Sequence, residues 1–112
     1  MITYEDFEKI DIRVGKIVEV SDFPEARKPA FKLKIDFGSE IGIKVSSVQA
    51  VGAHTKEELQ GTLVCCVVNF PPKKVADFSS EVLTLGFKNT AGDGWVLIQP
   101  AKNSVEVGSK LS

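Results

Sequence analysis

The chain has 112 residues, of which 43% are hydrophobic and 26% charged. That length suits one domain whose core needs neither disulfides nor metal to fold, and the apolar content argues against intrinsic disorder. A formal net charge of −1 and a pI of about 5.8 exclude a strongly basic nucleic-acid binder, so any contact with RNA must come from a local patch.

The N-terminus, MITYEDFEKI, is acidic and lacks the apolar stretch of a signal peptide. No apolar run approaches the roughly 20 residues needed to span a bilayer, and no lipidation motif is present. These features predict a cytoplasmic protein with no stable membrane insertion. Thr3 followed by Asp6 resembles a capping box and predicts a short helix over residues 4–9, with Tyr4 and Phe7 on one face. DIRVGKIVEV, from Asp11 to Val20, predicts the first strand, with Ile12, Val14, Val18 and Val20 on one face. Lys16 breaks that alternation, and Gly15 permits a bulge or bend.

Residues 21–29 form a loop. AFKLKIDFG then alternates cleanly, with Phe31, Leu33, Ile35 and Phe37 on one face and Lys32, Lys34 and Asp36 on the other, as in a half-buried antiparallel strand. IGIKVSSVQ predicts a third strand, with Ile41, Ile43 and Val45 inward and Lys44 and Ser46 outward. Thr55 caps a short helix that runs through Leu59 and ends at Gly61. TLVCCVVNF is apolar on both faces and predicts a central, well-covered strand. Its adjacent Cys65 and Cys66 point to opposite faces, which suits two buried free thiols better than a disulfide or metal site. A long, proline-bearing connection follows, then EVLTLG as a fifth strand. FKNTAGDG is a turn, WVLIQP a further strand, and VEVGSKLS a polar end.

Short strands, a first strand bent at glycine and a helix between the third and fourth strands predict an all-β fold. The match is to the OB-fold, a five-stranded Greek-key barrel, here with short helices and N- and C-terminal extensions. Residues 1–112 read as one domain, with a core over about 11–86 and a C-terminal extension over about 87–112. The extension carries Phe87, Trp95, Val96 and Ile98, more apolar surface than a minimal barrel covers. It therefore reads as a homodimer interface.

Catalytic chemistry finds no support. His54 is the sole histidine and reads as a surface residue. There is no P-loop, GxGxxG or CxxC motif, and the acidic N-terminus suits a solvated face. No cofactor is implied. Binding residues are better candidates. Arg27, Lys28, Lys32, Lys34 and Lys44 form either a solvated strand face or a cationic strip able to meet phosphates or acidic segments. In the long connection, Pro71 and Pro72 stiffen the backbone ahead of Lys73 and Lys74. Phe70, Val75 and Phe78 either fold beneath this loop or stay partly exposed, and an exposed apolar patch rimmed by lysine suits peptide or base stacking.

NFPPKKVADFSSEVLTLG resembles the signature loop of the tRNA-binding domain family. That family includes free-standing structure-specific tRNA-binding proteins and domains appended to methionyl- and phenylalanyl-tRNA synthetases. DIRVGKIVEV, FKLKIDFG and IGIKVSS fit its earlier blocks in order. The chain is similar to one branch of that family, the export-associated chaperones of CsaA type, through DFEKIDIRVGKIV, FPEARKPAFKLKIDFGSEIGIK, SSVQ and VVNFPPKKVADFSSEVLTLG, and the similarity covers essentially the whole chain. The resemblance implies an OB-fold homodimer that binds unfolded or precursor polypeptide and the translocation ATPase SecA, with structure-specific tRNA binding as the alternative. Mapped residue by residue, it implies contact roles for Ser46, Asn69, Lys73, Lys74, Ser80 and Leu83. One departure stands out. Where the general family pattern has glycine and methionine, this chain has Val82 and Leu83, and the larger Val82 fits the chaperone branch.

Overall fold

The computed structural model describes residues 1–112. Helix α1 (Tyr4–Glu8) leads into β1 (Ile12–Asp22), β2 (Phe31–Asp36) and β3 (Ile43–Val48); α2 (Lys56–Leu59) and β4 (Leu63–Val67) follow. The remaining strands are short: β5 (Lys73–Val75), β6 (Phe78–Ser80), β7 (Leu83–Thr84), β8 (Gly86–Lys88) and β9 (Trp95–Leu97). Five of the nine strands form one antiparallel sheet in the order β3-β2-β1-β4-β7, curled into a nearly closed barrel. The fold is therefore the mostly β barrel that the sequence predicts.

Strand β1 belongs to both halves of the barrel. Ile12 to Lys16 pair with β4, and Lys16 to Asp22 pair with β2. The bend comes from a bulge between Ile17 and Glu19, not at Gly15. The bulge moves Val18 to the surface and turns Ile17 fully inward, which breaks the predicted face of Ile12, Val14, Val18 and Val20. Gly15 has a different role. A Cβ there would stand 2.5 Å from Ile35 Cγ2 and 2.7 Å from the Phe37 ring, so only glycine lets the strands approach this closely.

The predicted face of the third strand is inverted. Leu33 pairs with Ser46, Ile35 with Lys44 and Phe31 with Val48. Directly opposed residues share a face, so the strong inward face of β2 fixes Ser46 and Val48 inward. Ile43 is 59% exposed, whereas Ser46 is fully buried. Gly38 and Gly42, with φ of +89° and +83°, make the turn that sets this register.

The fully buried core includes Ile17, Leu33, Ile35, Phe37, Val64 and Leu59. Leu59 comes from α2, which Thr55 caps by accepting from the Glu58 N–H at 3.1 Å. Burying one such side chain contributes about 1.5–3 kcal/mol. The Thr3–Asp6 capping box of α1 is present in both directions, at 3.0 and 3.1 Å. At the other end, residues 108–111 run beside β1. The Val14 N–H donates to Ser109 O, the Gly108 N–H to Val14 O and the Leu111 N–H to Ile12 O. No helix is long and apolar enough to cross a membrane.

Candidate functional site

The long connection after β4 is not an open loop. Lys73 pairs with Ser80, Lys74 with Ser79 and Val75 with Phe78, making a β5–β6 hairpin. Its tip turns at Ala76, the one non-glycine residue with positive φ (53°). This hairpin forms one wall of a groove of about 1530 Å³. The opposite wall is the segment between β1 and β2, which contributes Glu25, Arg27 and Lys28. Ser47, Val48 and Gln49 at the end of β3, the stretch from Ser80 to Gly86, and Trp95 complete the lining.

The floor is the seam where the barrel closes. Ser46 Oγ donates to Val82 O at 3.1 Å and lies 2.8 Å from Thr84 Oγ1. The Ser47 N–H donates to Ser80 Oγ at 3.0 Å. Glu81 exchanges two bonds with Val45: its N–H donates to the carbonyl at 2.8 Å, and its carboxylate accepts from the Val45 N–H at 3.0 Å. Side chains thus replace a continuous backbone ladder between β3 and residues 80–84.

Above the seam the groove combines two chemistries. Phe70, Leu83 and Trp95 are 53%, 48% and 43% exposed, which is unusual for large apolar side chains grouped in one concavity. Arg27, Lys28, Lys73 and Lys74 are exposed around them and form no ion pair. Of the two carboxylates in the lining, Glu81 is engaged with Val45. On a chain of net charge −1, this is a local cationic, partly apolar surface.

Five of the sequence-predicted binding residues line this groove: Phe70, Lys73, Lys74, Ser80 and Leu83. Ser80 is buried there, and its hydroxyl is engaged with Ser47 and Val82. The other five lie elsewhere. Lys34 pairs with Glu19 at 3.3 Å. Lys32 lies over the rings of Phe23 and Phe78. Lys44 is half-buried on the face opposite Lys32 and Lys34, so the three do not form one strip. Ser46 points into the core. Asn69 fastens the N-terminal segment and not the loop: its amide donates to Lys9 O at 2.8 Å and accepts from the Asp11 N–H at 3.0 Å.

Of the four residues assigned to an interface, Trp95 lines the groove. Phe87 and Val96 pair with each other on the β8–β9 hairpin and are exposed, whereas Ile98 is half-buried and bonded to Leu85 and Cys65. Arg27 and Lys28, which belong to the predicted cationic stretch, also line the groove, whereas Glu25 and Glu81 are lining residues that sequence reasoning did not place at a binding site.

The other titratable groups serve the fold. His54 is not a surface residue. Its ring is 12% exposed, Nε2 accepts from the Leu97 N–H at 3.1 Å, and Nδ1 faces Glu58. An acceptor at Nε2 places the proton on Nδ1. Both cysteines are free. Cys66 is fully buried, and burial pushes its thiol up to about 12 against a weaker lowering by the Thr84 hydroxyl. Cys65 is only half-buried, contrary to the prediction, and burial raises its thiol as well.

The family described as "Putative tRNA binding domain" matches residues 12–110. The chain belongs to the tRNA-binding domain family. Two solved structures align over the whole chain. The CsaA chaperone protein of Picrophilus torridus is 54% identical, with 100% of both chains covered and a TM-score of 0.90. Chaperone CsaA of Bacillus anthracis is 47% identical, with 100% of this chain and 99% of that one covered, and a TM-score of 0.90. Similarity extends to the methionine–tRNA ligase of Pyrococcus furiosus, 36% identical over 110 residues. That alignment takes in 98% of this chain but 14% of the ligase. The tRNA-binding domain thus matches a small part of the larger enzyme, and a complete CsaA chain.

Proposed function

We propose that this protein is a CsaA-type chaperone that captures unfolded or precursor polypeptide in the groove between residues 25–28 and the β5–β6 hairpin. The reading rests on one observation: Phe70, Leu83 and Trp95 stand exposed in a concavity bordered by four cations without ion-pair partners. Apolar segments of a client would cover the three side chains, while acidic residues flanking those segments would meet Arg27, Lys28, Lys73 and Lys74. Reversible capture of this kind keeps exposed apolar chains from aggregating. The chemistry needs no nucleotide, and a cytoplasmic role in protein export, with SecA as a partner, agrees with the resemblance to CsaA. Homodimerisation would cover Phe87 and Val96, which are 70% and 42% exposed.

Binding of tRNA is the second reading. The same four cations favour it, since phosphate contacts need clustered charge and not a basic chain overall. Trp95 gives a direct assay, being the only tryptophan. The protein is titrated with reduced, carboxymethylated ribonuclease A, an unfolded chain without tryptophan, and with unfractionated tRNA at several salt concentrations. Polypeptide capture predicts a Trp95 fluorescence change with the unfolded protein and weak salt dependence. tRNA binding through the four cations predicts a log-affinity versus log-salt slope of about −2.8 to −3.6. Quenching by neither probe would reject both readings.

A further inference from the structure

The walls of the groove are separate pieces of chain. Residues 23–30 lead out of β1, the β5–β6 hairpin returns towards β7, and no backbone hydrogen bond joins the two. Three side chains outside the groove lining make the connection. Phe23 and Phe78 meet edge to face, with ring centroids 5.4 Å apart and an angle of 64°. Lys32 Nζ lies 4.7 Å from the Phe23 centroid and 5.3 Å from that of Phe78. Both distances fall within the roughly 6 Å over which a cation is attracted to a ring face.

Phe23 belongs to one wall and Phe78 to the other. Lys32 belongs to neither. It sits on β2, paired with Ser21 on one side and Ser47 on the other, so its backbone is fixed by the barrel. It also forms no ion pair, unlike its neighbour Lys34. We propose that Lys32 is a clip that holds the Phe23 wall to the Phe78 wall and so sets the width of the groove, and that it is a positioning residue, not a ligand contact. This inference deepens the proposed function, because a groove of fixed width presents Phe70, Leu83 and Trp95 to one ligand chain at a time.

The clip is testable without any ligand. Hydrogen exchange of the full-length protein is followed across residues 73–80 in wild type, Lys32→Met, Lys32→Arg and Phe78→Leu. A cation–π contact of this exposure corresponds to about a two- to five-fold change in an opening equilibrium. Lys32→Met is therefore expected to speed hairpin exchange about five-fold, with β4 unchanged. Lys32→Arg should restore the wild-type rate. Phe78→Leu keeps the apolar bulk but loses the ring face, and should behave like Lys32→Met even if that variant melts at a different temperature.

Binding of carboxymethylated ribonuclease A and of tRNA then separates clip from contact. Lys32→Met should weaken whichever probe binds by about three- to five-fold and leave the salt slope unaltered. The double change Lys73→Ala and Lys74→Ala should do the reverse, flattening a tRNA slope by about 1.4–1.8 with hairpin exchange unchanged. Wild-type hairpin exchange in Lys32→Met, or a tRNA slope flattened by about 0.7–0.9 in that variant, would overturn the clip. If the wild-type protein binds neither probe, the proposed function fails, and the exchange comparison still decides the clip.

Discussion

Ser46 offers the sharpest test of how the barrel closes. Its hydroxyl is fully buried and bridges Val82 O and Thr84 Oγ1 at 3.1 and 2.8 Å. Ser46→Ala removes both bonds at once. Val82 O keeps a longer bond from Ser80 Oγ at 3.3 Å, but Thr84 Oγ1 is left with only the Cys66 sulfur at 3.5 Å. Leaving one buried polar group without a proper partner costs about 1–3 kcal/mol. We take about 2 kcal/mol, because one of the two partners of Ser46, the Val82 carbonyl, retains a bond. A domain of this size has an unfolding entropy of about 0.24 kcal/mol/K, so the midpoint should fall by about 8 °C. Thr84→Val in the Ser46→Ala background should cost less than Thr84→Val alone, with a coupling of about 1 kcal/mol. Calorimetry and urea titration of the four proteins supply the cycle. Because the hydroxyl faces the core, affinity for tRNA or unfolded polypeptide should stay within about two-fold. A Ser46→Ala loss below about 0.5 kcal/mol, or strict additivity, would refute the closure by side chains.

Gly15→Ala should destabilise by about 1–3 kcal/mol in chemical denaturation, because the new methyl group meets Ile35 and Phe37 at under 3 Å and the core must shift. The Cys66 thiol, held near 12 in the fold, ionises in the unfolded chain from its ordinary 9.0 upward. Its folded value is raised, so its contribution is intact below pH 9 and fades between 9 and 12. By linkage the loss relative to neutral pH is about 1.4 kcal/mol at pH 10, read as the difference in pH dependence between wild type and Cys66→Ala. The same thiol should label slowly with a disulfide reagent in the native state. Ala76→Val places a β-branched side chain at φ 53° and should lower the melting midpoint, whereas Ala76→Gly should not.

The sequence carried much of the fold because its signals were local and mutually consistent. AFKLKIDFG alternates without interruption, and β2 sits where that alternation puts it. Thr3 and Thr55 cap helices that start as predicted. Most of the failures share a physical origin. Ile43 and Val45 look like an inward face in isolation, yet β3 takes its register from β2, and that register turns Ser46 to the core. A buried serine is invisible to hydropathy, because what makes it tolerable is a partner at Thr84, 38 residues away in sequence. The same holds for Lys32, Asn69 and His54, whose partners Phe78, Lys9 and Leu97 are all distant in the chain. The hairpin hidden in PPKKVADFSS was missed for another reason. Its turn residue is alanine, and alanine at positive φ leaves no signature of the kind that Asn-Gly or Gly-Gly does.

The closure and the groove are two results of one arrangement. In a barrel closed by a full backbone ladder, the residues after β4 would be committed to pairing with β3. Here Ser46, Ser80 and Glu81 close the gap with side chains, and the pairing strand β7 is only two residues long. The chain before it, from Phe70 to Ser80, is thereby free to fold on itself and stand above the seam as a wall. Exposed Phe70 and Leu83 lie at the two ends of that excursion, so the hydrophobic content of the groove comes from residues released from the sheet. The cations follow from the same geometry. A hairpin with one face over the groove and its backbone paired only internally needs solvated side chains along its length, and Lys73 and Lys74 supply them without neutralising partners. Replacing the side-chain seam by a longer β7 ladder would therefore gain barrel stability and remove the binding surface.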